Sequence, residues 1–352
     1  MSRFLSSRYR DLEAYTPGEQ PTDMQYIKLN TNESPYPPSA AVLKAVNADE
    51  VSRLNLYSDP TLSELTGAIG EALGVSAENV FCANGSDDVL AFAFMGFSGR
   101  GGELVAPDIS YSFYPVFADL FGVKLTQIPL KDDFTVDVDA FCGINKNIVI
   151  ANPNAPTGLW LGIDEIERIV ASNPDTLVII DEAYGDFAPA SALPLVKKYD
   201  NLLVTCTFSK SRSLAGLRVG FGVANEEIIK DLNTFRCSFN PYNVNTLSIR
   251  AASAAIADKE YYDGCIAEVK AQREAATLRL REMGFAVQNS HSNFLFAKHE
   301  SKAAKDVYEG LKARGVLVRY FNAPRIDGYV RISVGNKEQM DAFFQALAQV
   351  LS

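Results

Sequence analysis

The sequence predicts an α/β protein in two parts, a large domain built on a mostly parallel sheet and a smaller α+β domain. Between about residues 63 and 222, short apolar segments alternate with helical patterns, which is typical of a parallel sheet covered on both faces. After about residue 240 the chain becomes a long charge-rich helical stretch followed by shorter elements. We therefore expect a large domain over residues 46–240, a small domain over residues 241–352, and an N-terminal arm, residues 1–45, that joins the small domain.

Composition and charge narrow the classes of function. The chain has 352 residues, of which 47% are hydrophobic, and this is enough for a large core. Its net charge of −10 argues against a nucleic-acid partner, because a phosphate backbone requires a basic face. No apolar run approaches the roughly 20 residues of a membrane span, and the N-terminus has no long apolar core. We expect a cytoplasmic globular protein without a membrane partner.

Cysteine and histidine offer little material for a metal site. The five cysteines are scattered without a Cys-x-x-Cys pair, which suits a reducing compartment and small buried apolar side chains. The two histidines, His291 and His299, are too few for a histidine-based metal site or a catalytic triad. We expect no bound metal.

The first predicted strand of the large domain covers residues 80–82 and leads into the polar segment Asn-Gly-Ser-Asp at 84–87. A helix is expected from Val89. Gly85 permits the tight turn, and the free N–H groups at the start of a helix form a site for an anion. The same residues are also typical of an ordinary capped helix.

Two further strands are predicted at residues 104–106 and 148–151. Tyr111 follows the first of them in a short loop, where it either stacks on a ligand or belongs to the core. The second runs into Asn-Pro-Asn-Ala-Pro-Thr-Gly at 152–158, a rigid turn that offers amide side chains at the same edge of the sheet. That segment is equally typical of a plain turn.

A helix is predicted after this turn, because Ile163, Ile166 and Ile169 fall on one face. The next strand, residues 177–180, ends at Asp181. A carboxylate in that place either caps a helix or pairs with a protonated ring nitrogen of a ligand.

Lys210 lies just past the carboxyl end of the last predicted parallel strand, residues 202–206. Open α/β sheets place their ligands at that edge. A lysine there is more often a solvated surface charge, but Thr207, Ser209 and Arg218 accompany this one. An amine among hydroxyls and a guanidinium suits an imine with an aldehyde whose phosphate those groups bind. Pyridoxal phosphate is such an aldehyde.

The C-terminal part is predicted to form a small α+β domain, completed by the N-terminal arm. A charge-rich helical stretch runs to about Glu282. Its later elements are a strand at 294–296, a helix at 303–314, strands at 316–319 and 329–332, and a closing helix from Lys337.

Four segments together resemble the histidinol-phosphate aminotransferase family, whose members are fold-type-I pyridoxal-phosphate enzymes. They are Leu-Asn-Thr-Asn-Glu-Ser-Pro-Tyr at 29–36, the turn at 152–158, Asp-Glu-Ala-Tyr at 181–184, and Ser-Lys-Ser-Arg-Ser-Leu-Ala-Gly-Leu-Arg at 209–218. The resemblance spans nearly the whole chain. It implies an aminotransferase that uses pyridoxal phosphate to move an amino group between glutamate and imidazole-acetol phosphate, in either direction, in histidine biosynthesis.

Other activities are open at this point. An aminotransferase for aromatic or other amino acids and a phosphothreonine decarboxylase have a similar fold. A ligand-binding regulator on an aminotransferase fold would need a DNA-binding extension, for which the length and the acidic charge leave no room. The amino acid that converts the bound cofactor to its amine form would discriminate among the enzymes.

The resemblance also implies roles for individual residues. Lys210 would bind the cofactor as an imine and later move the α-proton, while Asp181 would pair with the pyridine nitrogen. Tyr184 would hydrogen-bond the ring hydroxyl, and Tyr111 would stack on the ring. The phosphate site would be formed by Gly85, Ser86, Asp87, Thr207, Ser209 and Arg218.

Assembly and substrate contacts are implied in the same way. Tyr57 resembles a tyrosine that reaches the cofactor phosphate of the neighbouring subunit, so a homodimer with shared active sites is expected. The positions that contact the substrate in this family are similar to four residues of this chain: Tyr15, Asn32, Arg319 and Arg331. The two arginines would serve a substrate phosphate or the carboxylate of the amino donor.

One position departs from the family pattern. The family often has asparagine immediately before Pro-Thr-Gly, where it bonds the ring hydroxyl of the cofactor, whereas this chain has Ala155. The adjacent Asn154 is the candidate to bind the cofactor in its place.

Overall fold

The structure is a computed structural model that describes residues 3–99 and 101–352, within which the strands form three sheets. The strands are β1 (Ile27–Lys28), β2 (Val80–Ala83), β3 (Glu103–Pro107), β4 (Lys124–Ile128), β5 (Asn147–Ala151), β6 (Val178–Asp181), β7 (Leu202–Thr207), β8 (Gly220–Val223), β9 (Phe285–Val287), β10 (Phe294–His299), β11 (Val316–Leu317), β12 (Arg319–Tyr320) and β13 (Val330–Ser333). The helices are α1 (Ala40–Ala45), α2 (Ala48–Ser52), α3 (Ser63–Leu73), α4 (Ser86–Ala93), α5 (Phe113–Phe121), α6 (Val138–Phe141), α7 (Ile163–Ser172), α8 (Glu226–Phe239), α9 (Thr246–Ala257), α10 (Lys259–Glu282), α11 (Ala304–Lys312) and α12 (Lys337–Leu351).

The largest sheet has the strand order β2-β8-β7-β6-β5-β3-β4. Its neighbouring strands are parallel except β8, which runs antiparallel to both β2 and β7. The carboxyl ends of β5, β6 and β7 are in register, because Ala151 lies opposite Asp181 and Asp181 lies opposite Thr205. The predicted α/β fold with a mostly parallel sheet is confirmed.

Both faces of the large sheet are buried. Successive side chains of a strand point to opposite faces, so Ile148 and Ile150 pack on one side with α3, α7 and α9. Val149 and Leu203 pack on the other side with α4, α5 and α8. This double burial explains why these strands are continuous apolar runs rather than alternating ones.

The small sheet has the order β12-β13-β10-β9, and its strands are antiparallel. The strand predicted at residues 316–319 is divided in two. Val316 and Leu317 pair in parallel with β1 of the N-terminal arm, whereas Arg319 and Tyr320 pair with β13. The chain therefore changes partners at Val318.

Two helical predictions also differ from the structure. Helix α4 begins at Ser86 rather than Val89, because Gly85, with φ +86°, ends the preceding turn and allows the helix to start directly after it. The long helical stretch breaks at Asp258 into α9 and α10. Helix α9 packs on α1 and α3, and these three helices share an apolar core with strands of the large sheet. The domain boundaries stay a prediction.

Helices long and apolar enough to cross a membrane do not occur within residues 3–99 and 101–352.

Candidate active site

Nine of the predicted cofactor and catalytic residues line one cavity of about 190 Å³, which we call the inner cavity. It lies at the carboxyl ends of β2, β6 and β7. The nine residues are Ser86, Asp87, Tyr111, Asp181, Tyr184, Thr207, Ser209, Lys210 and Arg218. The register of one sheet therefore gathers side chains that are far apart in the sequence.

Lys210 lies in the connection between β7 and β8 and lines the inner cavity. Its Nζ donates a hydrogen bond to the carbonyl oxygen of Thr31 at 3.2 Å. The same Nζ lies 5.8 Å from the centre of the Tyr184 ring. The start of this connection is shaped by Thr207, whose hydroxyl accepts the N–H of Ser209 at 3.1 Å. A primary amine is thus held between two protein segments at the end of the sheet.

Asp181 is a buried carboxylate at the end of β6, with 4% of the residue exposed. It accepts hydrogen bonds from the hydroxyls of Tyr114 at 2.9 Å and Thr205 at 3.2 Å, and from the N–H of Ala183 at 3.2 Å. Burial raises the pKa of Asp181 to about 6, although these hydrogen bonds oppose that shift. An opposite charge is the natural partner of such a group, and a protonated ring nitrogen supplies one.

A cradle for an anion is formed at the start of α4. No side chain caps this helix, so the N–H groups of its first turn are free of that contact. A Cβ at Gly85 would lie 2.6 Å from Nη2 of Arg218, and a Cβ at Gly220 would lie 2.1 Å from the N of Ser86. Gly85 therefore leaves room for the Arg218 guanidinium beside the helix start, and Gly220 allows the backbone of β8 to approach that start closely. Together with the Ser209 hydroxyl, 3.3 Å from Nη1 of Arg218, they make a donor set suited to phosphate.

Asp87 orients the neighbours of this cradle. One carboxylate oxygen accepts the hydroxyl of Tyr111 at 2.8 Å, and the other lies 3.1 Å from Nη2 of Arg218. Burial is the main cause that raises the pKa of Tyr111, and the nearby Asp87 charge adds to it, so this tyrosine is a neutral donor. The Asp87 carboxylate thus orients the Tyr111 ring and the Arg218 guanidinium. The backbone N–H of Asp87 belongs to the first turn of α4.

A second cavity of about 570 Å³ adjoins the first, and we call it the outer cavity. The two cavities share Lys210, Tyr111, Tyr184, Ala155 and Thr31. All four predicted substrate-contacting residues line the outer cavity: Tyr15, Asn32, Arg319 and Arg331.

Arg331 places in the outer cavity a guanidinium that lacks a hydrogen-bond acceptor for one of its nitrogens. Its Nη2 donates to the carbonyl oxygen of Asn30 at 2.9 Å, but its buried Nε has no hydrogen-bond partner within the described parts of the chain. Arg319 lies directly opposite it on the adjacent strand. Burial lowers the pKa of Arg331, and the guanidinium, which remains charged, gains from an anionic ligand.

Asn32 connects the N-terminal arm to the centre of the site. It is 1% exposed and has a left-handed backbone with φ +57°. Its Nδ2 donates to the Tyr184 hydroxyl at 2.9 Å, and its Oδ1 accepts the Ser333 hydroxyl at 2.9 Å. The Tyr184 hydroxyl is thereby held in one orientation. Tyr15 belongs to the same arm and packs on Phe113, with 4.4 Å between the ring centres.

Asn154 is not brought into either cavity. Its Nδ2 donates to the carbonyl oxygen of Ile109 and the hydroxyl of Thr157, both at 3.0 Å, and its Oδ1 accepts the Ser110 hydroxyl at 2.9 Å. The shift of one residue in the turn points this amide away, and Ala155 lines the cavities instead. The expectation that Asn154 binds the cofactor is not supported by this geometry.

Tyr57 also lies outside both cavities. It is 83% exposed, and its ring stacks on that of Tyr242 with 4.5 Å between the centres. Within one chain it therefore contacts none of the other predicted site residues.

Several residues of the site were missed by sequence reasoning. Tyr114 and Thr205 hold Asp181, and Thr31 holds Lys210 through its carbonyl oxygen. Thr205 could have been found from the register of two adjacent parallel strands. Tyr114 lies three residues after Tyr111, on the helix that the same loop begins, but nothing in its sequence context indicates a buried hydroxyl. A backbone carbonyl such as that of Thr31 leaves no residue-specific signal.

Known proteins are similar to this chain over nearly its full length. Residues 24–347 match the family described as aminotransferase class I and II. The histidinol-phosphate aminotransferase of Brachyspira hyodysenteriae is 49% identical over 352 residues, covering 100% of this chain and 99% of that protein. The corresponding enzyme of Clostridium acetobutylicum is 44% identical and is covered completely, as is this chain.

Solved structures have the same fold. Histidinol-phosphate aminotransferase from Sinorhizobium meliloti, solved in complex with pyridoxal-5'-phosphate, superposes with a TM-score of 0.84 at 26% identity, over 92% of this chain and 90% of that chain. L-threonine-O-3-phosphate decarboxylase from Porphyromonas gingivalis shares the fold, with a TM-score of 0.79 at 22% identity, over 92% of this chain and 99% of that chain. From the sequence relatives and the family match together, this chain belongs to the histidinol-phosphate aminotransferase family within aminotransferase class I and II.

Proposed function

We propose that this protein is a pyridoxal-phosphate-dependent aminotransferase that moves an amino group between glutamate or 2-oxoglutarate and histidinol phosphate or imidazole-acetol phosphate in histidine biosynthesis. The observation that carries the proposal is the pair of adjoining cavities that share Lys210. The inner cavity has a phosphate cradle and a buried carboxylate, and the outer cavity has two arginines. Relatives that are 43–49% identical over the full chain carry the same enzyme name.

The residues of the inner cavity fit the cofactor. Pyridoxal phosphate supplies an aldehyde for an amine and a ring that stabilises negative charge at the substrate α-carbon. The N–H groups at the start of α4, Arg218 and the hydroxyls of Thr207 and Ser209 would bind its phosphate. Asp181 would pair with the protonated ring nitrogen, with its own geometry held by Tyr114 and Thr205.

Lys210 would serve as both the covalent attachment point and the proton carrier. Lys210 lines both cavities, so its amine would lie close to a substrate atom next to the cofactor. With the cofactor bound, the Lys210 amine would act as the general base that removes the proton from the substrate α-carbon and returns it one position away. The carbonyl oxygen of Thr31 and the centre of the Tyr184 ring lie 3.2 and 5.8 Å from the Nζ of Lys210.

The outer cavity would bind two different anions in turn. Arg331 and Arg319 would hold the carboxylate of glutamate in one half of the cycle and the phosphate of histidinol phosphate in the other. The unpartnered Nε of Arg331 supports this role, because a buried donor without an acceptor is unfavourable unless a ligand supplies one.

We also propose that the enzyme is a cytoplasmic homodimer with shared active sites. An apolar strip near Tyr57 is exposed in the single chain, including Val51 at 51%, Leu54 at 48% and Leu56 at 60%. A second copy of the chain would cover this strip and direct Tyr57 towards the phosphate cradle of its partner. The unpaired cysteines among the described residues suit a reducing compartment.

Subunit mixing tests the shared site. Lys210→Ala and Tyr57→Ala dimers should each have low activity, and exchange between them should restore activity in heterodimers that contain one site with both native residues. Formation of the heterodimer is verified independently by native mass spectrometry of the mixture. Proven exchange without recovered activity would count against a Tyr57 that acts across the dimer.

The substrate is tested by half-transamination. The purified protein is mixed with histidinol phosphate, glutamate or an aromatic amino acid, and the conversion of the cofactor to its amine form is followed by absorbance. Histidinol phosphate and glutamate should convert it, and aromatic amino acids should do so more slowly. Preferred conversion by an aromatic amino acid, or release of carbon dioxide from phosphothreonine, would replace the proposed substrate.

A further inference from the structure

One wall of the outer cavity is the segment between β12 and β13, residues 321–329, which we call the outer loop. Residues 321 and 323–326 of this loop line the cavity. Residues 108–112, from the loop after β3 of the large sheet, line it as well. The width of the cavity therefore depends on how the outer loop docks against the loops of the large sheet.

Arg325 ties the outer loop to those loops. Its Nη1 donates to Oδ2 of Asp108 at 3.2 Å, and its Nη2 donates to the carbonyl oxygens of Leu130 and Lys131 at 2.9 and 2.8 Å. Its Cζ lies 5.6 Å from the centre of the Phe134 ring. Three acceptors from two loops of the large sheet therefore engage this guanidinium, which is committed to protein rather than to a substrate anion.

Asp108 also contacts the connection after β4, and we call Arg325 and Asp108 together the clamp. Its Oδ1 accepts the N–H of Leu130 at 2.9 Å, so one carboxylate holds both the connection after β4 and the outer loop. The ion pair is partly exposed, with side-chain exposures of 34% for Arg325 and 28% for Asp108. Partly exposed ion pairs contribute little by themselves. The two carbonyl contacts of Arg325 therefore matter more to the docking than its charge pairing.

The backbone of Arg325 supports a role beyond surface solvation. Its φ of +69° is an unfavourable left-handed conformation for a side-chain-bearing residue, and such conformations persist where surrounding contacts over-determine them. The next residue, Ile326, is 7% exposed and packs with Leu130 and Phe134 in an apolar cluster. The outer loop is thus anchored by an apolar side chain and aligned by a charged one.

We propose that Arg325 is a positioning residue for the larger substrate. By holding the outer loop against the loops of the large sheet, it sets the width of the outer cavity and therefore the affinity for histidinol phosphate, without contacting the substrate phosphate itself. The identity of this substrate rests on the proposed function.

The test compares Arg325→Ala and Arg325→Lys with the matched control Arg279→Ala. Arg279 lies 3.8 Å from Asp341 and 4.3 Å from the centre of the Phe344 ring, so it shares the ion pair and the ring contact of Arg325, without its carbonyl contacts, at a place between α10 and α12 that is away from both cavities. Steady-state kinetics are measured with histidinol phosphate. The dissociation constant of histidinol, which lacks the phosphate, is measured by titrating the absorbance of the holoenzyme.

Arg325→Ala should raise the KM of histidinol phosphate and the Kd of histidinol by the same factor, about 10-fold, with kcat unchanged. Arg325→Lys should recover part of this loss, since one ammonium cannot satisfy three separated acceptors. Arg279→Ala should change neither constant. A loss confined to histidinol phosphate would overturn the proposal in favour of direct phosphate contact, and unchanged constants or a loss in kcat alone would overturn it outright.

Hydrogen–deuterium exchange separates this proposal from the proposed function. The amides of residues 321–329 should exchange faster in Arg325→Ala than in the wild type or in Arg279→Ala, whichever substrate the enzyme uses. If the wild type does not turn over histidinol phosphate, the proposed function fails. The exchange rates still show whether Arg325 holds the outer loop in place. Unchanged exchange in the outer loop would overturn the clamp even in an active histidinol-phosphate aminotransferase.

Discussion

The inner and outer cavities adjoin and share Lys210, yet they are built in different ways. The inner cavity takes most of its residues from positions that follow strands of a single sheet, such as Ser86 after β2 and Asp181 at the end of β6, and only Thr31 and Glu33 come from the N-terminal arm. The outer cavity combines Tyr15 of the N-terminal arm with Arg331 of the small sheet and loops of the large sheet. Changes in the inner cavity should therefore impair cofactor chemistry and kcat, whereas changes in the outer cavity should alter KM and selectivity.

The largest expected effect follows from removing Lys210, one of the residues that line both cavities. Lys210→Ala should lower kcat by at least about 1000-fold, because both the covalent attachment and the proton carrier are lost. Borohydride reduction of the wild type should leave the cofactor fixed to a peptide that contains Lys210. Lys197→Ala is the matched control, since Lys197 also donates to a backbone carbonyl, that of Gly74 at 2.8 Å, but lies outside both cavities. A reduced adduct on another lysine would refute the assignment.

Asp181→Asn should separate function from stability within the inner cavity. Activity should fall by roughly 100- to 1000-fold, because a buried charge pair with the cofactor loses one partner. The cofactor-free variant should nevertheless be more stable than the cofactor-free wild type at pH 8. Burial raises the pKa of Asp181 from 3.8 to about 6, so its ionised form destabilises the folded protein by about 3 kcal/mol above pH 6.

The stability of the cofactor-free protein should depend on the protonation of Asp181. The pKa of Asp181 is higher in the folded protein than in the unfolded chain, so the folded protein binds the proton of this carboxyl more tightly. The free energy of unfolding should therefore fall as the pH rises through 6 and Asp181 loses its proton. The Tm advantage of cofactor-free Asp181→Asn should be largest above pH 6 and should shrink as the pH falls below it. An advantage that grows towards acidic pH would mean that the Asp181 carboxylate is already stabilised without the cofactor.

The difference between the cavities also explains how much the sequence could predict. Strand ends are visible as apolar runs that stop at polar residues, so the sequence alone places Asp181 and Lys210 at one sheet edge. The outer cavity depends on how the arm and the small sheet pack, and Arg325 gives no periodic signal for its contacts across that junction. The division of the strand at Val318 is equally invisible, because its apolar residues pair with two different sheets.

Arg331→Ala should affect the outer cavity alone. The kcat/KM for glutamate should fall by about 10- to 100-fold, because one charge-assisted hydrogen bond contributes roughly 1.5 to 3 kcal/mol. Cofactor affinity should stay within about 3-fold of the wild type, since Arg218 is the arginine of the phosphate cradle. Arg331→Lys should recover only part of the loss, as an ammonium lacks the planar fork. An unchanged half-reaction with glutamate would remove Arg331 from the substrate site.

The smallest functional effect is expected at Asn154, although its neighbour Ala155 lines both cavities. Asn154→Ala should lower Tm, because it leaves the Ile109 carbonyl and the Ser110 hydroxyl without their partner. Asn152→Ala is the control, since the Asn152 amide is also buried and, within residues 3–99 and 101–352, exchanges hydrogen bonds only with the backbone of Leu161.

Both variants should lose stability, while their cofactor dissociation constants should stay within about 3-fold of the wild type, because neither amide reaches the inner cavity. The constants can be measured by titrating the cofactor-free proteins with pyridoxal phosphate. A loss of affinity for Asn154→Ala without a loss of Tm would mean that this amide does contact the ring hydroxyl. Such a result would show that the turn at 152–158 changes its conformation when the cofactor binds, and that even the inner cavity is not set by the sheet edge alone.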